Sequence, residues 1–501
     1  KNQQYWNILG VSVLDYFDLY KKFTYVRQES YRLNYIAKVE LGESKLDNPY
    51  ETFKDFYTKD YQKFVEYNIQ DVELVDKLED KMKLIELCLT MAYEAKVNYT
   101  DVYSQVRCWD TIIYNHLLKK NIIIPPREDH DKDTQYEGAY VKDPQLGLHN
   151  WIVSFDLNSL YPHLIMQYNL SPETLVGVQP KNMGVENYLN EKFNLQWARD
   201  KNVTVAPNGS MYRRDKQGFL PELMEKMYGD RVVFKKKTIE AKKEFQKTKD
   251  PIYKNEISRC NNIQMAKKIA LNSAYGAIGN QYFRYFDVRI AEAITLGGQL
   301  SIRWVERDVN KFMNKLLNTD NVNYVVASDT DSIYLKLDKL VEKVCKDKSP
   351  QQITDFINKA AEDKIQKVID DSFNNLAKYV NAYQQKMIMK REAIANKAIW
   401  VAKKRYMMNV FDEEGIRFDI PKLKIMGVEA VKSSTPEVCR GKIKDAIRVI
   451  MNDSEDALIK FVADFKEVFK TLSPEEVAFP RSCNYIDKYV DPNSIYKKGT
   501  P

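Results

Sequence analysis

Two short acidic motifs carry the residue types that could do chemistry. Asp329 and Asp331 stand one residue apart between two runs with strand character, and Asp156 ends a third such run that begins at Trp151. Carboxylates this close repel each other unless a cation neutralises them. Each motif alone is also typical of a solvated polar turn. Two strands that bring their acids to one point would instead form a site for two divalent cations.

Basic side chains at helical spacing could hold an anionic substrate near such a site. Arg231 and Lys235 are four residues apart, as are Lys268 and Asn272, so each pair would share one face of a helix. Three converging cations would suit a triphosphate. Most charge runs are solvated faces, and that interpretation fits the neighbouring lysines at 236, 237 and 242.

The elements that would position these residues follow from periodicity and breakers. Residues 220–249 and the segment from Tyr253 to about Gly276 have helical patterns separated by Pro251, which predicts an antiparallel helical hairpin. Residues 61–83 and 291–317 also predict helices, and Asp412–Gly415 predicts a β-hairpin turn. Val11–Leu14 has strand character, and a helical, charged stretch is expected to run to Arg391–Glu392.

Composition sets the class of protein. The 501 residues are enough for roughly three or four domains, and 44% hydrophobic with 29% charged residues is typical of a globular protein. The net charge of +7 and the 33 tyrosines are compatible with a nucleic-acid partner. Six scattered cysteines and four histidines argue against a disulfide framework or a zinc site. We find no apolar run long enough for a membrane span and no signal-peptide pattern.

Four motifs, in order, resemble those of family B DNA polymerases. Asp156–Pro162 resembles motif A, Lys268–Gly276 motif B, Ser328–Ser332 motif C, and Lys403–Tyr406 the lysine-rich motif that follows. Within the family, the resemblance is to the replicative polymerases of T-even-type bacteriophages, which two further runs also support: Ser12–Phe23 and Leu423–Gly427.

The resemblance implies an α+β multidomain, right-hand fold. Its palm would contain an antiparallel sheet, its fingers a helical hairpin, and its thumb would be partial and helical, beside a partial RNase H-like exonuclease domain. The implied boundaries are 1–83 for the partial 3′–5′ exonuclease domain, 84–127 for a helical segment and linker, 128–217 and 281–427 for the palm, 218–280 for the fingers and 428–501 for the partial thumb.

The resemblance also implies two Mg2+ ions as cofactors. Asp156 and Asp331 would bridge the metals, and the Leu157 carbonyl would complete one shell. Asp329 would be a supporting acid close to Lys404. Glu392 is an outer-shell candidate.

Further residues carry over from the motifs to the nucleotide and the DNA. Main-chain amides near Ser159, Leu160 and Tyr161 would cradle phosphates, and Lys268 would stabilise or protonate the leaving group. Tyr161 would exclude a 2′-hydroxyl. The remaining implied contacts are Arg231, Lys235 and Lys268 to the triphosphate, Tyr275 and Asn272 to the nascent base pair, Lys404 and Lys432 to the primer, Tyr406 to the DNA, and Tyr136 and Gly138 of the Tyr-x-Gly-Ala connector to the template.

Tyr67 and Asp71 resemble the third exonuclease motif of the family, with both residues on one helical face. The family's first two exonuclease motifs, with their acidic metal ligands, find no match. One acid cannot hold two metals, so we predict no 3′–5′ exonuclease activity from this chain alone.

The predicted function is that of a DNA-directed DNA polymerase core in phage DNA replication, acting in the cytoplasm of the infected bacterial host. Its partners would be primer-template DNA and deoxynucleoside triphosphates, with the missing exonuclease and thumb segments and a sliding clamp as further candidates, and no membrane. Two alternatives stay open: a non-catalytic DNA-binding fragment, and one polypeptide of a split polymerase. The spacing from Lys268 to Tyr275 disfavours a reverse transcriptase.

Overall fold

A computed structural model of the chain describes residues 8–24, 26–128, 135–179 and 183–479. They form a mixed α and β protein with two antiparallel sheets. Residues 1–7 of the expected exonuclease segment, the start of the expected palm at 129–134, and the end of the expected thumb from 480 lie outside the described residues. Among the helices that the structure describes, none is both long and apolar enough to cross a membrane.

The described residues up to 128 are helices joined by loops. The helices are α1 (Tyr16–Phe23), α2 (Leu33–Leu41), α3 (Phe53–Lys59), α4 (Tyr61–Met82), α5 (Leu84–Ala95) and α6 (Gln105–Leu118), with a 3-10 turn at Tyr99–Tyr103. The expected strand at Val11–Leu14 is wrong, because no described strand lies beside it and both valines are exposed. A segment with high β-propensity does not form a stable strand when it has no partner strand to hydrogen-bond with.

A six-stranded antiparallel sheet is the centre of the molecule. Its strands are β1 (Gly147–Leu157), β5 (Val325–Asp329), β6 (Ser332–Lys336), β7 (Met389–Ala402), β8 (Arg405–Glu413) and β9 (Ile416–Met426), in the spatial order β5-β6-β1-β7-β8-β9. A smaller sheet has the order β2-β4-β3, from β2 (Leu175–Val178), β3 (Val203–Val205) and β4 (Ser210–Arg213). The predicted hairpin around Asp412–Gly415 is confirmed by the pairing of β8 with β9.

The remaining helices pack around this sheet or extend from it. They are α7 (Leu160–Tyr168), α8 (Val185–Leu189), α9 (Gln196–Asp200), α10 (Phe219–Thr248), α11 (Ile252–Ile278), α12 (Val288–Leu317), α13 (Asp338–Val344), α14 (Pro350–Ala360), α15 (Gln366–Tyr379), α16 (Glu437–Asn452), α17 (Glu455–Thr471) and α18 (Pro474–Val477), with 3-10 turns at Pro172–Thr174 and Glu429–Val431 and a π-helical turn at Ala361–Ile365.

Two of these helices form the predicted hairpin. Helix α10 ends where Lys249 adopts a left-handed conformation (φ 58°), and α11 begins after Pro251. Proline suits the start of a helix because its missing N–H has no intrahelical partner there. The expectation that helix continues to Arg391–Glu392 is wrong: α15 ends at Tyr379, and both residues lie in β7.

Alternation along β1 decides which side chains face the main core. Val153, Phe155 and Leu157 are buried in the core cluster that also contains residues of α7 and α12. Because successive side chains of a strand point to opposite faces, Ser154 and Asp156 project to the other face of the sheet. The strand thus anchors itself with three apolar residues and presents an acid at its end.

Candidate active site

The two acidic motifs meet at one end of the central sheet. Strands β1 and β6 pair with Asp156 opposite Ser332, and the Leu157 N–H donates to the Asp331 carbonyl at 2.8 Å. Thr330, between the two acids of the β5–β6 turn, has φ 58°, a left-handed conformation that reverses the chain tightly. The expected convergence of Asp156 and Asp331 is therefore observed.

The acids at this point repel one another. Burial raises the pKa of Asp156 to about 7, with further contributions from the charges of Asp331 and Glu392. Burial likewise raises the pKa of Asp331 to about 6, and Asp329 and Glu392 add to the effect. Acidic charge is thus concentrated at a half-buried point where added positive charge would be stabilising. Oxygen donors of this kind suit Mg2+, so the residues fit the expected cofactor.

The donor set is small. Two carboxylates, Asp156 and Asp331, meet at this point, and the described parts of the chain contain no group of three or more His, Cys, Asp or Glu side chains arranged to hold a metal ion. Mg2+ is commonly bound by one or two carboxylates together with substrate phosphates and water. The arrangement therefore suits a metal site that a phosphate-bearing substrate completes.

Lys404 neutralises the third acid. Its Nζ lies 3.3 Å from Asp329 Oδ1, and the Thr330 hydroxyl donates to the same oxygen at 3.0 Å. Lys404 has φ 60° in the tight turn between β7 and β8, which brings it over the end of the sheet. The expected proximity of Asp329 and Lys404 is observed. Asp329 therefore already has a cation beside it.

Glu392 lies beneath the acids in a network that the sequence did not reveal. The Ser154 hydroxyl donates to one of its carboxylate oxygens at 3.0 Å, and Lys424 Nζ lies 2.7 Å from the other. Lys424 is on β9, and its charge lowers the pKa of Asp156. In the sequence it stood out only as part of a family-like run. The period-two alternation with Lys422 is the signal that could have placed it on one face of a strand.

Cations of the helical hairpin lie close to the turn after β1. Arg231 Nη1 donates to the Ser159 hydroxyl at 3.3 Å, which joins α10 to that turn. Burial lowers the pKa of Lys268, and the charges of Arg231 and Lys235 lower it further. The three predicted cations are therefore neighbours. Asn272, one turn beyond Lys268 on α11, is exposed.

The turn itself places main-chain donors at the start of a helix. Ser159 has φ 47°, and α7 begins at the next residue, so the amides of Leu160 and Tyr161 belong to the first turn of a helix. Such N–H groups have no intrahelical acceptor and favour anions.

Three tyrosines form a cluster beside that turn. The rings of Tyr161 and Tyr275 are 4.6 Å apart between centroids, and the Tyr275 hydroxyl donates to the Tyr136 hydroxyl at 3.4 Å. Close approach depends on glycine: a Cβ at Gly279 would lie 2.7 Å from the Tyr136 hydroxyl. The Gly138 carbonyl accepts from Gln299 at 2.7 Å, which attaches the connector to α12.

Tyr406 and Lys432 differ in exposure. Tyr406 is only 7% exposed, and its hydroxyl is 2.8 Å from that of Tyr334 inside an aromatic cluster with Trp400. Its side chain therefore packs inside the protein and is not on the surface. The expectation that this side chain contacts DNA does not fit its buried position. Lys432 is exposed and pairs with Glu429 at 3.0 Å.

A lysine contacts both Tyr67 and Asp71, the two residues that resemble the third exonuclease motif. Lys45 Nζ lies 2.7 Å from Asp71 Oδ2 and 4.6 Å from the centroid of the Tyr67 ring, so an ammonium group neutralises the acid. Contact with Asp71 and Tyr67 raises the pKa of Lys45 against the opposing effect of burial. Nothing in the sequence pattern placed Lys45, 26 positions before Asp71, in this contact.

Comparison with known proteins identifies the family. The profile of DNA polymerase family B matches residues 97–481. The chain therefore belongs to DNA polymerase family B.

Individual relatives support this assignment. The chain is 35% identical to the DNA-directed DNA polymerase of Escherichia phage RB69 over 96% of its length, and 34% identical to that of Enterobacteria phage T4 over 98%. It covers 58% and 60% of those two proteins. It is also 25% identical to DNA polymerase 1 of Pyrococcus abyssi over 84% of the chain and 46% of that protein.

Proposed function

We propose that this chain is the catalytic core of a template-directed DNA polymerase, which adds deoxynucleotides to a primer 3′ end. One observation carries the proposal: Asp156 and Asp331 converge at the sheet end, close in the chain to the Ser159 turn that Arg231 contacts. Acids for a metal and cations for a polyphosphate are the two requirements of nucleotidyl transfer. The phage relatives named as DNA-directed DNA polymerases agree with it.

Asp156, Asp331 and the Leu157 carbonyl would hold two Mg2+ ions, which supply charge neutralisation at the transferred phosphate and lower the pKa of the primer hydroxyl. Asp329 would keep Lys404 in place beside them. Glu392, fixed by Ser154 and Lys424, would support the site from below.

The nucleotide would bind between the turn and the helical hairpin. Arg231, Lys235 and Lys268 would neutralise the triphosphate, with the Leu160 and Tyr161 amides on its phosphates. Lys268 is suited to protonate or stabilise the leaving pyrophosphate, because burial, followed by the charges of Arg231 and Lys235, lowers its pKa.

The tyrosine cluster would discriminate among incoming sugars and base pairs. Tyr161 would occupy the space of a 2′-hydroxyl, while Tyr275 and Asn272 would face the nascent pair. Tyr161 is held by the Tyr275 ring and lies over Gly298, where a Cβ would be 3.7 Å from its ring. A wall held from two sides excludes extra atoms effectively, because overpacking costs roughly 1–3 kcal/mol.

The domains follow from these roles. The central sheet would be the palm, α10 and α11 the fingers, and α16 and α17 the start of a thumb, with 1–83 as part of an exonuclease domain. Primer-template DNA would pass over Lys404 and Lys432 and the Tyr136–Gly138 connector. We place its action in the cytoplasm of a phage-infected bacterium, with a sliding clamp as a candidate partner.

Single-nucleotide primer extension tests the proposal. The chain, a labelled primer-template, Mg2+ and one complementary deoxynucleotide should give a product one nucleotide longer, and Asp156→Asn should abolish it. Asp143→Asn is the matched control, because that acid is exposed and its ion pair among the described residues is with Lys403. DNA binding without extension would contradict the proposal and favour a non-catalytic fragment. Extension that appears only on addition of a second polypeptide would favour a split polymerase.

A further inference from the structure

A cavity of about 220 Å³ lies between α5, α6, α10 and α11, apart from the catalytic acids. Its interior is lined by apolar and aromatic side chains, including Phe23, Met91, Trp109, Ile112 and Ile269. The space exceeds the roughly 150 Å³ of an apolar cavity that holds benzene. A body of two fused aromatic rings is thus the appropriate size.

One wall of the cavity is held rigidly. The Trp109 indole N–H donates to the Ala270 carbonyl at 3.1 Å and to the Ser273 hydroxyl at 3.2 Å, so α6 is fastened to α11. A ring held by such bonds presents a preformed surface and loses little entropy when a ligand stacks on it.

Positive charge surrounds the apolar interior. The two acids that line the cavity, Glu94 and Asp230, both pair with Lys267, at 2.8 and 3.2 Å. Four other lysines also line it, and none of them forms an ion pair with an acid in the described part of the chain: Lys22, Lys96, Lys119 and Lys226. Burial lowers the pKa of the remaining basic group, His116. The unmatched charge of the lining is therefore cationic.

We propose that this cavity is a binding site for an aromatic anion, with a two-ring apolar body inside and one negatively charged group at the lysines. The apolar body gains from leaving water, and the charged group meets ammonium groups that form no ion pair within the residues described. The proposal goes beyond the polymerase reaction and does not depend on it.

Fluorescence titration of the whole chain tests the site with two related probes. Anilinonaphthalenesulfonate carries the anionic group, and N-phenyl-1-naphthylamine has the same aromatic body without it. The anionic probe should bind roughly fivefold more tightly than the neutral one or better. Ala270→Phe, which places a ring in the cavity, should weaken both by about tenfold or more. Ala463→Phe makes the same change on exposed α17 and should alter neither.

A second variant distinguishes the contribution of the lysine charges to probe binding from that of the cavity volume. Lys119→Gln combined with Lys226→Gln should remove the preference for the anionic probe and leave binding of the neutral probe unchanged. Equal binding of the two probes by the wild-type chain would overturn the anionic class. Unchanged binding in Ala270→Phe would overturn the site. If that variant does not fold, judged by circular dichroism, Ile112→Trp fills the same cavity from α6 and is read in the same way.

Discussion

Asp156→Asn should have two opposite effects, a loss of nucleotide incorporation and a gain in the stability of the metal-free chain. The activity loss follows from its role at the metals: a bridging carboxylate contributes several kcal/mol of transition-state stabilisation, so a decrease of about a thousandfold or more is expected. A residue that only supports the fold would lose stability and activity together.

The stability gain follows from the pKa of this acid. Burial and Asp331 raise it from the ordinary value of 3.8 to about 7, so the folded chain binds a proton more tightly than the unfolded chain does. Below pH ~4 both states are protonated, and the residue has no net effect. As the pH rises towards 7 the unfolded chain ionises first, and stability is lost. Above pH ~7 the loss is complete, which removes roughly 2 kcal/mol after allowance for partial exposure and for coupling to Asp331.

Thermal unfolding in a chelator, from pH 4.5 to 8, measures this. Asp156→Asn should melt about 2–4 °C above wild type at pH 8, with a difference that shrinks towards pH 4.5. Added Mg2+ should stabilise wild type more than the variant. Asp412→Asn is the control, because that buried acid pairs with Arg391 and, at 2.7 Å, with Arg417. It should lose about 3 kcal/mol or more. A lower melting temperature for Asp156→Asn at pH 8 would refute the reasoning.

Other variants test the remaining roles. Tyr161→Ala should raise ribonucleotide use relative to deoxyribonucleotide use, while Tyr161→Phe keeps the discrimination; an unchanged ratio of incorporation efficiencies in the Ala variant would end that role. Lys268→Ala should reduce incorporation by about a hundredfold, as expected for loss of a general acid or charge partner, and parity with wild type in single-turnover assays would contradict it. Asp71→Ala should leave degradation of single-stranded DNA at the background level of the parent chain, whereas metal-dependent digestion lost in the variant would show a working exonuclease. Gly279→Ala should displace Tyr136, 2.7 Å from the added carbon, and weaken template binding in an anisotropy titration; unchanged affinity would contradict a template contact there.

Local patterns in the sequence were sufficient to place several candidate site residues on their secondary-structure elements. Asp156, Asp329 and Asp331 could be assigned to strand ends because alternating apolar runs and turns are local features. The same holds for the hairpin of α10 and α11, since helical periodicity and Pro251 lie within one segment. The order of the motifs was enough to indicate the family.

Tertiary structure decided how distant residues combine. Lys424 reaches Glu392 and Lys45 reaches Asp71 across 32 and 26 positions. Tyr406, in a lysine-rich motif, is buried against Tyr334 instead of facing a surface. Val11–Leu14 has strand propensity but forms no strand, because no described strand lies beside it to pair with. The common reason is that ion pairing, burial and strand pairing depend on what lies opposite in space. A local pattern indicates which secondary structure and which polar contacts a segment can form. The folded chain determines which partner residues are close enough to form them.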